Sequence, residues 1–178
     1  MKFIKDLLLF EITATGNDLD KDSIIQLSAV VLDKDNLLEK GYFNSYIRVS
    51  YLDNVIWEHS KLLRIPPEVL KKSNKVYEVV KKFHASFGKE YLLGTHNLSN
   101  IIFLRQAFKK AAVPWTYEQH VLDLWTLGYI YTLNYGMKKM PSANTFFDYF
   151  KIKQANPYDA LEKVRNEAEV FRRIIREV

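Results

Sequence analysis

The sequence predicts a mixed-sheet domain of the α/β or α+β class, and three observations carry the prediction. Three β-rich segments follow one another across short turns in the first third of the chain. From Pro66 the apolar spacing becomes helical. Beyond that point helices and short strands alternate, up to a long C-terminal helix. With 178 residues and 48% hydrophobic content, the chain can bury one core and is somewhat short for two. Six Gly and five Pro leave no room for a flexible linker, so one domain over residues 1–178 is expected.

Leu7 to Thr13 is a short apolar run that reads as a buried strand, and the turn formers of "GNDLDKD" follow it. "SIIQLSAVVLD" alternates Gln26 and Ser28 against Ile25, Leu27 and Ala29, a second strand. "DKDN" turns the chain, and "YFNSYIRVS" reads as a third strand, which makes the first third an antiparallel meander. In "PPEVLKKSNKVYEVVKKFHASFG" Val69, Val76, Val79, Val80, Phe83 and Phe87 recur at helical spacing, with Pro66 and Pro67 at the start and Gly88 at the end. A division into two short helices near Ser73 fits the same residues. "YLLGTHN" is a strand ending at His96-Asn97, and "NIIFLRQAFKKAAV" an amphipathic helix closed by Pro114. "HVLDLWTLGYIYTLNY" passes from a short strand into a helix with Asp123 as candidate N-cap. "SANTFFDYF" is a short helix. The last helix, from about Pro157 to Ile175, gathers Ala160, Leu161, Val164, Ala168, Phe171 and Ile175 on one face.

Composition narrows the function classes. Twenty-six Lys and Arg against 21 Asp and Glu give a net charge of +5, compatible with a polyanionic partner without identifying one. The lysine pairs Lys71-Lys72, Lys81-Lys82, Lys109-Lys110 and Lys138-Lys139 read first as solvated helix faces and ends. The absence of cysteine excludes disulfides and thiolate metal sites. The apolar run Leu7 to Phe10 is too short for a signal-peptide core or a membrane span, so a soluble, cytoplasmic protein with no membrane partner is expected. No Gly-rich phosphate loop and no G-x-S-x-G occur, and His59 and His120 lack companions at zinc-ligand spacing.

Taken in order, several segments resemble the DEDD 3′–5′ exonucleases, the family of proofreading exonuclease subunits, RNase T and oligoribonuclease. Where that family has Asp-x-Glu-Thr-Thr-Gly, this chain has Glu11-Ile12-Thr13-Ala14-Thr15-Gly16. "IIQLSAVVLD", Ile24 to Asp33, matches a family strand of the type "IIEIGAVVLD". His96-Asn97, Asn100 and Phe103-Leu104 follow the second motif with a spacer one residue short, and Val121 to Leu124 follows a later "iDTl" segment. Tyr158-Asp159-Ala160-Leu161-Glu162-Lys163 follows the third, His-x-Ala-Leu-x-Asp. The resemblance spans nearly the whole chain and implies a ribonuclease H-like fold, a mixed central β-sheet flanked by α-helices.

It also implies a site at Glu11, Thr13, Asn100, Tyr158 and Lys163. In the family, four carboxylates hold two divalent metals about 4 Å apart and a His or Tyr activates water. Here only Glu11 keeps a carboxylate. Thr13 and Asn100 offer neutral oxygens and Lys163 an ammonium, a poor set for Mg²⁺. The expectation is a catalytically degenerate pseudo-exonuclease with no cofactor, holding single-stranded DNA or RNA in the former groove through Thr15, His96, Asn97 and Lys163. One alternative is a weakly active nuclease using Mg²⁺ or Mn²⁺. A sister branch of the family carries Tyr-x-x-x-Asp, and Tyr158 to Glu162 has that spacing. Glu11 and Glu162 would then form a one-metal remnant, assisted by Asp159. The other alternative is a scaffold with a protein partner, and a homodimer is left open. Phe146, Phe147, Tyr149 and Phe150 read as core. Tyr129, Tyr131 and Tyr135 cannot all face inward on one helix, and exposed aromatics there, beside Lys138-Lys139, would suit stacking on single-stranded bases. Trp57 and Tyr51 lie in the segment that resembles the family's region before its first helices.

Overall fold

Alternation along two strands decides how the protein is layered. β1 (Leu7–Ala14) and β2 (Ile24–Leu32) are antiparallel, with Leu9 opposite Val30, Glu11 opposite Ser28 and Thr13 opposite Gln26. β3 (Glu39–Tyr46) adds antiparallel to β2, so the meander is present. The third strand starts earlier than "YFNSYIRVS" suggests and stops at Tyr46, after which Ile47 makes only an isolated bridge to Asn74. β4 (Leu92–Thr95) and β5 (Leu122–Asp123) extend the other edge in parallel, giving the order β3-β2-β1-β4-β5. These features come from a computed structural model that describes residues 2–49, 61, 64, 66–88, 90–136, 138 and 140–177. Tyr51, Trp57, His59 and Lys139 lie outside the described residues.

Side chains of period two send Leu8, Phe10, Ile12, Leu27, Ala29 and Val31 to one face of the sheet. There they meet α2 (Val76–Phe87) and α3 (Ser99–Lys110) through Phe83, Leu104 and Phe108. Leu7, Leu9, Val30 and Leu32 go to the other face and meet α6 (Ala160–Glu177) through Val164, Ala168 and Phe171. β1 is thus covered on both sides, which is why it reads as a continuous apolar run rather than an alternating one.

The helical stretch after Pro66 does divide, into α1 (Pro67–Lys72) and α2, with Ser73 ending the first. Leu70, not Val69, is its buried residue, because α1 is one short turn with its own phase. α3 ends at Lys110, before Pro114, as Ala112 turns into positive φ. Asp123 caps α4 (Leu124–Asn134), its carboxylate accepting from the Trp125 N–H at 3.1 Å. α5 (Ala143–Tyr149) packs so closely on α4 that a Cβ on Gly128 would lie 2.7 Å from Phe146 Cζ. Phe146, Phe147 and Phe150 are core as expected, whereas Tyr149 is 41% exposed because it points off the short helix. Tyr131 is buried and Tyr135 exposed, and both hydroxyls donate to Glu177. Among the described residues no helix is long and apolar enough to cross a membrane.

Candidate functional site

The rows facing α6 begin apolar and end polar. Leu7 with Leu32 and Leu9 with Val30 give way to Glu11 with Ser28 and Thr13 with Gln26. The N-terminus of α6 sits over this polar end. Asp159 caps it by accepting the Glu162 N–H at 2.8 Å, and the buried Gln26 accepts the Ala160 N–H at 3.0 Å. The Gln26 amide donates onward to Asn44 at 3.0 Å and Asp159 at 3.2 Å. Seated this way, α6 carries Lys163, one turn in, directly to Glu11.

Glu11 is 2% exposed and both of its oxygens are occupied. Lys163 Nζ donates to Oε1, and Asn100 Nδ2 donates to Oε2 at 2.7 Å while also reaching Thr95 Oγ1 at 3.0 Å. One turn further along α6, Glu167 is 3% exposed, and neither of its oxygens has a hydrogen-bonding partner among the described residues. It lines, with His96, Phe146 and Phe171, a narrow pocket of about 10 Å³, room for about one water. Burial, then the Glu11 charge, hold the Glu167 carboxyl well above the usual carboxylate range, with Lys163 pulling the other way. Burial also raises Glu11, against the lowering pull of Lys163 and Asn100. Burial acts to lower Lys163, but Glu11 and then Glu167 outweigh it and the ammonium stays charged. The state with least uncompensated charge is ionised Glu11, charged Lys163 and neutral Glu167. His96 is pushed down to about 4 by burial and then by Lys163, so it is neutral at pH 7; its ring meets Phe146 edge-on.

The positions singled out in the sequence fall into three groups. Glu11, Asn100 and Lys163 converge in the contact just described. His96, Asn97 and Lys163 wall an open cleft with Leu98, Asp123 and Trp125. The rest are engaged elsewhere. Thr13 Oγ1 donates to the Tyr158 carbonyl at 3.2 Å, and the Tyr158 side chain is half exposed. Thr15 Oγ1 donates to Asp22 at 2.7 Å and accepts the Ser23 N–H, bracing the turn after β1. Asn97 Oδ1 accepts from Ser99 N and Oγ, tying β4 to the start of α3. Glu162 is not paired with Lys163 or Arg165. Its carboxylate accepts the backbone N–H groups of Ala155 and Asn156 and holds that loop, while Asp159 works as a cap.

Glu167 escaped the sequence reading. It lies three residues after Val164 and four before Phe171, inside the apolar stripe, and four after Lys163 on the same face. That spacing was the available signal.

The family implies two divalent metal ions here, and the donor set fits them poorly. Its one carboxylate at the matching positions already holds an ammonium and an amide, and Thr13 is turned to a carbonyl. Among the described residues no three His, Asp or Glu side chains converge as ligands.

A family model described as exonuclease, RNase T, matches residues 10–171. No curated protein sequence matches the chain. Among solved structures, cell-death related nuclease 4 (CRN-4) superposes with a TM-score of 0.81 at 14% identity, over 97% of this chain and 64% of that one. The nuclease domain of 3′hExo, described as a DEDDh family member bound to rAMP, gives 0.78 at 15% identity, over 99% and 95%. Exonuclease I from E. coli in complex with a dT13 oligonucleotide gives 0.73 at 15%, over 96% and 41%. The chain thus spans less than two thirds of CRN-4 and under half of exonuclease I, and these likenesses establish the ribonuclease H-like exonuclease fold. Family match, motif register and sheet order agree: the chain belongs to the RNase T exonucleases of the DEDD group.

Proposed function

We propose that this chain is a pseudo-exonuclease that grips the 3′ end of a single-stranded DNA or RNA without hydrolysing it. The carrying observation is the buried Glu11–Lys163 ion pair, which puts a tethered cation where the family pattern calls for an acid. A lysine ammonium has three donors, and Lys163 uses one of them on Glu11. Its side chain keeps 25% exposure and forms part of the cleft wall, so the remaining donors suit a phosphate or a terminal hydroxyl. Trp125, stacked on Tyr129 at 5.1 Å and 16°, lines the same cleft and offers a base a flat partner. The bound nucleotide and oligonucleotide of the 3′hExo and exonuclease I structures are consistent with such a ligand. A nuclease running on Glu11 and Glu162 has less support, because the two carboxylates serve different partners.

A protein-binding role is favoured by one separate observation: Ile130, Leu133, Tyr135 and Met140 are each about half exposed or more on and just beyond α4.

The test is a 3′–5′ degradation assay on labelled single-stranded RNA and DNA with Mg²⁺ and Mn²⁺, beside binding to the same strands and a Glu11→Ala control. Binding without cleavage supports the reading. Cleavage that disappears in Glu11→Ala overturns it, and neither binding nor cleavage leaves the protein-binding role in front.

A further inference from the structure

We propose that a strand held in the cleft continues along α3 into a second, basic groove walled by Arg48 and Lys110. The inference rests on the nucleic-acid reading above and adds the path and length of the bound strand.

Three concavities share lining residues in turn. Asn97 belongs both to the cleft containing Lys163 and to a small polar hollow between β1 and the start of α3, where Asn17, Ser99 and Asn100 also sit. Phe103 belongs both to that hollow and to a groove between α3, the start of α2 and the segment after β3. Arg48, Gln106 and Lys110 line this last groove. Arg48 and Lys110 are exposed, and neither has an ion-pair partner among the described residues. The acid on the same wall, Asp22, is engaged: it accepts from Thr15 Oγ1 at 2.7 Å and from the Asp18 N–H at 2.8 Å. The track therefore runs from a cation, through neutral amide and hydroxyl groups, to two cations that have no ion-pair partner among the described residues. That sequence of groups fits a phosphate backbone, since exposed cations without acidic partners release counterions when they meet phosphate. An acidic peptide would place its charges irregularly along the track, whereas phosphates recur at a fixed step.

The geometry sets a length. α3 spans 12 residues, about 18 Å at ~1.5 Å per residue. At the ~3.4 Å spacing of a stacked strand this is about five nucleotides. A trinucleotide in the cleft falls short of Arg48 and Lys110, whereas a strand of about 12 nucleotides reaches them.

The experiment measures binding of 5′-labelled oligo-dT and oligo-U, as trinucleotides and at about 12 nucleotides, across a salt series. Wild type is compared with Arg48→Gln/Lys110→Gln, both sites being on the surface, and circular dichroism confirms folding. The long strands should bind wild type more tightly than the trinucleotides. In the double variant they should weaken by about tenfold, and the slope of log K against log salt should fall by about 1.4, at ~0.7 for each phosphate no longer neutralised. Trinucleotide binding should not change. Long strands that bind both proteins alike with one salt slope would overturn the groove and leave the cleft reading standing. If wild type binds neither length, the nucleic-acid reading falls and the groove with it.

Discussion

Replacing Lys163 with methionine removes the cation from a carboxylate that water can hardly reach. Glu11 is 2% exposed, and Asn100 alone would then hold it. Breaking a buried pair from one side costs about 3–5 kcal/mol when the remaining charge must stay. Glu11 has a way out, because it can take up a proton. Holding a carboxyl neutral at pH 7 when its ordinary value is 4.5 costs about 3 kcal/mol, at ~1.4 kcal/mol per pH unit. The expected loss for Lys163→Met is therefore about 3 kcal/mol at pH 7. It should shrink to about 1 kcal/mol at pH 5, where neutral Glu11 costs almost nothing. Glu11→Gln leaves Lys163 able to reach water from the cleft side, so about 1–2 kcal/mol is expected there. The double variant should be more stable than the two losses added together, by about 1–3 kcal/mol. Urea denaturation of all four proteins at both pH values measures this. Additivity within about 0.5 kcal/mol, or a Lys163→Met deficit that does not change with pH, would refute the pairing as the organising contact of the site.

Glu167→Gln should stabilise the protein at neutral pH. The native carboxyl titrates above its unfolded value, so its contribution is complete below pH 4.5 and is lost as pH rises, by up to ~1.4 kcal/mol per unit. The stability difference between wild type and variant should accordingly grow from pH 4.5 to 7, and parallel curves would count against a neutral Glu167. Gly128→Ala drives a methyl into Phe146 and should cost about 1–3 kcal/mol, seen as a lowered Tm; an unchanged Tm would mean that α4 and α5 can separate freely. Asp159→Ala removes the cap of α6 and a partner of Gln26 and should cost about 1–2 kcal/mol in the same assay, and no loss would deny its seating role. Millimolar Mg²⁺ or EDTA should move the Tm by less than about 1 °C, because the donor set offers Mg²⁺ no strong site; a rise of several degrees would reveal one.

Much of the fold was legible because period and punctuation agreed. Leu7 to Phe10 is buried on both sides and reads as an unbroken run, and Asp123 marks the helix start it caps. The site was legible only as positions. Motif register placed Glu11, Asn100 and Lys163, but no local pattern says that side chains 152 residues apart will meet. Glu162 looked like a catalytic remnant by spacing, and the loop at Ala155 and Asn156 gave it another task, one set by the path of the chain. Glu167 was lost for the opposite reason. It stands in a helix crowded with charges, and the apolar stripe around it drew no attention to an acid within it.

The Glu11–Lys163 contact also bears on which substitutions the site can accept. Replacing Lys163 by aspartate, the residue of the family pattern, would crowd a third carboxyl group against Glu11 and Glu167 while removing the cation that serves both. Replacing Asn100 by aspartate would set an acid against the Glu11 oxygen that now receives an amide proton. Each single change toward the family's acidic pattern thus lowers stability, and only several made together, with a metal ion to hold the added carboxylates, would offset the loss. A contact that neutralises a buried acid therefore also restricts which neighbours that acid can accept.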